Sequence, residues 1–129
     1  MDQTPVVSIV DDDASVRIAT HRLVRSLGFT AHTFASADEF LRSPLMDSTS
    51  CIIADIQMPG MSGLDLQAVL RTQGRQLPII FITAFPEEKI RARAMDGGAV
   101  CVLAKPFDGT MLIEQLEVAL ETHGDEADH

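Results

Sequence analysis

No run in this chain is apolar for long enough to cross a bilayer, which takes about 20 consecutive residues. The opening Met1-Asp2-Gln3-Thr4-Pro5 lacks the basic and then apolar pattern of a signal peptide, so the expected location is cytoplasmic. Positive charge is scarce: 10 Lys and Arg stand against 19 Asp and Glu, a formal net charge of −9. A surface that acidic has no basic stripe for nucleic acid and is repelled by anionic membrane, so neither is an expected partner. There are two cysteines, Cys51 and Cys101, each inside an apolar run where a thiol serves as a small core residue. No disulfide is expected in a reducing compartment. His21, His32, His123 and His129 show no metal-ligand spacing. Missing too are the glycine-rich turn of dinucleotide-binding folds and the GxxxxGK[ST] loop: acids stand where those folds put glycines, so that turn cannot cradle a free phosphate on backbone N–H groups. No internal repeat or low-complexity stretch divides the 129 residues. One domain over 1–129 is expected, with a core over 5–122 and a frayed acidic tail over 123–129.

What is present is a hydrophobic fraction of 46%, enough to fold. Val6-Val7-Ser8-Ile9-Val10 reads as a first strand, stopped by Asp11-Asp12-Asp13. Val16, Ala19, Thr20, Leu23, Val24 and Leu27 follow at helical spacing, with Asp13 as N-cap and Gly28 as stop. Thr30 to Phe34 alternates polar and apolar residues, which places it at a sheet edge. Ser36 to Glu39 reads as a capping box opening a short helix that ends near Pro44. A polar loop over 47–50 leads to Cys51-Ile52-Ile53-Ala54-Asp55, apolar up to its last residue, as suits a central parallel strand buried on both faces. Ser62 caps a third helix running to about Gly74. Strands over 78–83 and 99–104 flank a helix that starts near Pro86 and stops at Gly97-Gly98, and Asp108 caps a last helix.

Five strands alternating with five helices give an α/β fold. The expected architecture is a flavodoxin-like, doubly wound five-stranded parallel sheet of order 2-1-3-4-5, with strands one and three at the switch point. Functional residues then come from the ends of strands one, three, four and five. Asp11 and Asp12 would meet Asp55 in one crevice, where like charges repel unless a proton or a cation intervenes. Hard oxygen ligands favour Mg²⁺ or a similar ion. Asp13 is read as a helix cap only. Thr83 and Lys105, at the rim, suit a phosphoryl group carried on Asp55: the ammonium pairs with one oxygen and the hydroxyl donates to another.

Val10-Asp11-Asp12-Asp13, Asp55 to Gly63, Thr83-Ala84 and Lys105-Pro106-Phe107 occur together, in this order and spacing, over Val6 to about Leu120. In these motifs the chain resembles the receiver domain of two-component response regulators, and within that family the receivers that precede LuxR-type output domains. The resemblance implies that Asp55 accepts a phosphoryl group from a histidine kinase or phosphotransfer protein. It also implies that Mg²⁺ (or Mn²⁺) is held by the side chains of Asp12 and Asp55, by Asp11 through a water, and by the backbone carbonyl of Gln57. Thr83 and Lys105 would hold the phosphoryl oxygens, and the Lys105-Pro106 bond would be cis. Such a protein catalyses only its own phosphorylation and dephosphorylation. It would signal through the surface of the fourth helix, fifth strand and fifth helix, to a downstream protein or a second copy. The chain departs from the pattern at Val102, where the family usually has an aromatic residue or histidine that follows Thr83 on activation. No tyrosine exists anywhere in it.

Two rival readings bear on the same residues. A Mg²⁺-dependent phosphatase of the haloacid dehalogenase type needs a second Asp two residues after the first, and Gln57 stands there. A degenerate receiver, acting as a phosphorylation-independent interaction module, would fit Val102 but not the complete set Asp11, Asp12, Asp55, Thr83 and Lys105.

Overall fold

A computed structural model describes residues 4–127, with side chains to Glu121. The strands are β1 (Val6–Val10), β2 (Thr30–Phe34), β3 (Cys51–Asp55), β4 (Ile79–Thr83) and β5 (Cys101–Ala104). The helices are α1 (Ala14–Ser26), α2 (Ala37–Arg42), α3 (Gly63–Thr72), α4 (Glu88–Asp96) and α5 (Gly109–Ala127). All four strand pairings are parallel, in the order β2-β1-β3-β4-β5. This is the doubly wound sheet expected from the alternation of apolar runs and helical stretches.

The sheet separates two cores. Ile52, Ala54 and Phe81 on one face pack with Phe40 of α2, Leu66 and Leu70 of α3, and Ala94 of α4. Val7, Ile9, Ile53, Ile80 and Ile82 on the other face pack with Val24 of α1 and with Leu112 and Leu116 of α5. Neighbouring residues of a strand point to opposite faces, so a central strand must be apolar at every position to serve both cores. β3 and β4 are buried at all five positions, while the alternating β2 leaves Thr30 and Thr33 exposed at the edge.

Local chemistry sets most boundaries. Asp13 caps α1 by accepting from the N–H groups of Ser15 and Val16. Asp108 Oδ1 accepts from Thr110 N at 2.8 Å. Some expected boundaries move. β4 begins at Ile79 and β5 at Cys101; Pro78 and Val100 still bond to the neighbouring strands, through Ile52 N to Pro78 O and Val100 N to Ile79 O, whereas Ala99 N bonds back to Ala94 O at the end of α4. At α2, Ser36 Oγ accepts from Glu39 N, but no return bond completes a capping box, the Glu39 carboxylate being exposed to water. The reciprocal box forms at α3, where Ser62 Oγ accepts from Asp65 N and Asp65 Oδ2 accepts from Ser62 N. Those bonds hold the Asp65 carboxyl below its ordinary value. A 3₁₀ turn over Pro44–Ser48 replaces part of the expected loop, with Ser43 Oγ capping it and Pro44 at its first turn. The backbone of α5 continues to Ala127, through most of the stretch read as a tail, whose last two residues lie outside those described.

Both cysteines are free, as expected. No helix of the described residues is long and apolar enough to cross a membrane.

Candidate phosphoacceptor and metal site

Parallel strands carry their C-terminal ends to one edge of the sheet, and β1 and β3 are neighbours there. The chain leaving β1 therefore brings Asp11 and Asp12 beside Asp55. One ligand oxygen from each of the three lies within 4.8 Å of the other two. Asp11 is fully buried, Asp55 nearly so, and Asp12 is exposed. Asp13, read as a cap, stays out of this cluster and caps α1.

The two buried carboxylates are each held by backbone. Asp11 Oδ1 accepts from Asp13 N at 2.9 Å, and Asp55 Oδ1 accepts from Gln57 N at 3.1 Å. The far oxygens face Lys105, which follows β5 across the crevice. Its Nζ lies 3.0 Å from Asp55 Oδ2 and 3.2 Å from Asp11 Oδ2. The first contact is a directed hydrogen bond. The second is an ion pair whose angle leaves Asp11 Oδ2 without a hydrogen-bond donor. The Lys105-Pro106 bond is cis.

Charge is unevenly compensated. Burial pushes the Asp55 carboxyl above its ordinary value; the Lys105 bond opposes this, and the nearby Asp11 adds to it. Burial works against the Lys105 ammonium, but its bond to Asp55 and the nearness of Asp11 outweigh that, and its pKa is raised. The crevice thus holds more negative charge than one ammonium neutralises. Asp12, the exposed member, is expected to add repulsion without structural return. Asp12→Asn should raise the melting temperature by about 2–4 °C at low salt. The gain should shrink in 1 M NaCl, where exposed charges are screened. Thermal melts at the two salt concentrations check both expectations.

Thr83 ends β4 and is fully buried. Its Oγ1 accepts from Phe85 N at 3.0 Å and donates to Gln57 Oε1. All the candidate residues picked out from the sequence therefore lie at one edge of the sheet. Lys105 touches the acidic cluster directly, whereas Thr83 is engaged with the Gln57 side chain.

Two features of the site come from the fold alone. The family resemblance gives Gln57 a part through its backbone carbonyl; its side-chain bond to Thr83 joins residues 26 apart in sequence. Gly63, the first residue of α3, packs against the strand that ends in Asp55. A Cβ there would lie 2.5 Å from the Asp55 carbonyl oxygen and 3.0 Å from Ile56 Cα. Neither backbone atom can turn aside as a side chain would. Gly63→Ala is expected to cost about 1–3 kcal/mol of stability, the usual range for overpacking, and to displace Asp55. Urea denaturation measures the first effect.

The fold and crevice define a class: a doubly wound α/β domain with clustered carboxylates and a lysine at the strand ends. The model of the response regulator receiver domain matches residues 7–117, and the chain belongs to that family, the signalling modules of two-component systems. Nodulation protein W of Bradyrhizobium diazoefficiens is 42% identical over 116 residues, covering 90% of this chain and 51% of that protein. Response regulator protein TodT of Pseudomonas putida is 39% identical over 120 residues, covering 93% of this chain and 53% of that one. The chain spans about half the length of these relatives. In structure, it matches the crystal structure of FixJ-N with a TM-score of 0.82 at 33% identity, over 93% of this chain and 96% of that one.

Proposed function

We propose that Asp55 is the phosphoacceptor of this receiver domain, charged by a histidine kinase or phosphotransfer protein in the presence of Mg²⁺ or Mn²⁺. The observation that carries the reading is the placement of Lys105, within 3.2 Å of both buried carboxylates and beside the only residue among them that ends a central strand. In the transfer, a carboxylate oxygen of Asp55 forms a bond to phosphorus as the donor's P–N or P–O bond breaks. The leaving group keeps that bonding pair. Lys105 then pairs with a phosphoryl oxygen, and the Thr83 hydroxyl donates to another.

The donor set suits a hard divalent cation. It comprises three carboxylates, each with an oxygen within 4.8 Å of the others, and Asp11 also has a buried oxygen, Oδ2, with no hydrogen-bond donor. Asp12 and Asp55 would hold the ion by side chains, Asp11 through a water and Gln57 through its carbonyl. The ion, when bound, supplies positive charge for the phosphoryl oxygens that Lys105 does not reach.

Signalling would leave through the surface of α4, β5 and α5. Phe85, Met95, Met111 and Val118 are large apolar residues exposed on or beside these elements. A downstream protein or a second copy of the chain would cover them.

The test is mass spectrometry of the intact protein after incubation with acetyl phosphate and Mg²⁺. One added phosphoryl group, prevented by chelator, is the expected result. No adduct with acetyl phosphate, or with a phosphorylated phosphotransfer protein, would overturn the reading in favour of a phosphorylation-independent interaction module.

A further inference from the structure

We infer that the Gln57 side chain is the latch that holds Thr83 in its resting position, so that it sets how readily the domain accepts a phosphoryl group. The inference rests on the phosphoacceptor reading of Asp55. A threonine hydroxyl carries one proton, and in this structure that proton is given to Gln57 Oε1. The oxygen accepts from Phe85 N in turn. Thr83 is fully buried, so water cannot replace either partner. A buried hydroxyl left without an acceptor is costly, so its proton must go either to Gln57 or to another acceptor within reach. A phosphoryl oxygen on Asp55 is that second acceptor. The two bonds exclude one another, which makes Thr83 a two-position element.

Gln57 is well placed for this exchange. Its backbone N–H holds Asp55 Oδ1 at 3.1 Å while its side chain holds Thr83, so one residue touches both the acceptor and the group that must move toward it. It is half-buried, and once released its amide can turn to water, whereas Thr83 cannot. The same chain of bonds offers a way to report the change. Thr83 Oγ1 is tied to the backbone of Phe85, a residue 63% exposed just ahead of α4. At position 102 this chain has a valine, buried in the core under α3 and α4, and no ring there could follow Thr83. Movement of Thr83 is transmitted instead through the Phe85 N–H to the loop that carries the exposed ring.

Gln57 is in these terms a positioning residue. Trifluoroberyllate with Mg²⁺ serves as a non-covalent probe for the phosphoryl group, its dissociation constant measured by titration and the Phe85 amide followed by NMR. In Gln57→Leu, the Phe85 amide is expected to move partway toward its trifluoroberyllate-bound position before any probe is added. The dissociation constant should fall roughly twofold to tenfold, the worth of one hydrogen bond. Gln57→Ala should do the same if leucine packs poorly. In a Thr83→Ala background the Gln57 substitution should no longer change the constant, an outcome that a merely structural role would not produce. A wild-type protein that takes no trifluoroberyllate would count against the phosphoacceptor reading. Wild-type binding with an unchanged constant and an unmoved Phe85 amide in Gln57→Leu would overturn the latch alone.

Discussion

Asp55→Asn is expected to lose the phosphoryl adduct completely, with acetyl phosphate or a protein donor, while the Mg²⁺-free domain becomes at least as stable as the parent. The loss follows from chemistry: an amide oxygen does not form the acyl phosphate, and of the three clustered carboxylates only Asp55 both ends a strand and accepts a hydrogen bond from Lys105. The stability follows from the crevice. Burial and the Asp11 charge hold the Asp55 carboxyl above its ordinary value of 3.8, so the folded state disfavours its charge. A carboxyl whose pKa is raised on folding costs stability once pH passes its unfolded value, and the cost grows until the raised folded value is passed. Asn carries no such charge, and its Oδ1 can still accept from Lys105. The stability advantage of Asp55→Asn should therefore be absent below about pH 3.8, appear as pH rises, and then level off. Intact mass after phosphodonor treatment checks the first expectation, and denaturant midpoints across pH check the second. A variant that still gains one phosphoryl group would move the acceptor to another residue.

Lys105→Met should have the opposite effect on the fold. It removes the ammonium shared by two buried carboxylates while keeping much of the side-chain volume. Removing one partner of a buried ion pair typically costs 3–5 kcal/mol. Here Lys105 is partly open to solvent and the carboxyls can take up protons, so a loss of about 2–4 kcal/mol is expected at neutral pH. A raised lysine pKa contributes stability that is fully present below its ordinary value of 10.5 and fades as pH rises through the folded value. The gap between parent and variant should hold steady from neutral pH to about 10.5, then narrow. At the acid end it should also narrow, as Asp55 is neutralised. Added Mg²⁺ should recover more stability in the variant than in the parent, because a second source of positive charge matters more where the first is gone. Phosphorylation by acetyl phosphate should slow by about 10²–10³-fold, the usual cost of one lost charge-stabilising group. Urea midpoints with and without Mg²⁺, together with the adduct time course, measure these effects. An unchanged Mg²⁺-free midpoint would mean that the lysine does not compensate Asp11 and Asp55.

Gly63 and Gln57 show where a reading of the chain alone stops. Gly63 closes the Asp55 to Gly63 motif in the sequence, but nothing local says why a glycine is needed there. Only the packing of α3 against the end of β3 makes it a site with no room for a Cβ. Gln57 lies two residues past Asp55, and nothing local tells that its side chain reaches Thr83. Val102 is the reverse case. Its departure from the family pattern is plain in the sequence, whereas its burial under α3 and α4 is a property of the fold.

The sequence by itself determined the strands, their order and the acids at their ends. These follow from local periodicity and from the rule that parallel crossovers carry strand ends to one edge. The asymmetry between the half-exposed β2 and the fully apolar β3 and β4 was enough to put one at the edge and the others at the centre. It also singled out Asp11, Asp12, Asp55, Thr83 and Lys105 as neighbours. Only the tertiary structure decided how those neighbours divide their bonds: Lys105 between two carboxylates, Thr83 with Gln57 and Phe85, and Asp11 Oδ2 with no donor. Local periodicity fixes which face a residue takes, to within several ångströms. A hydrogen bond is decided within a few tenths of an ångström and by direction, which depend on how all five strands and their covering helices settle together.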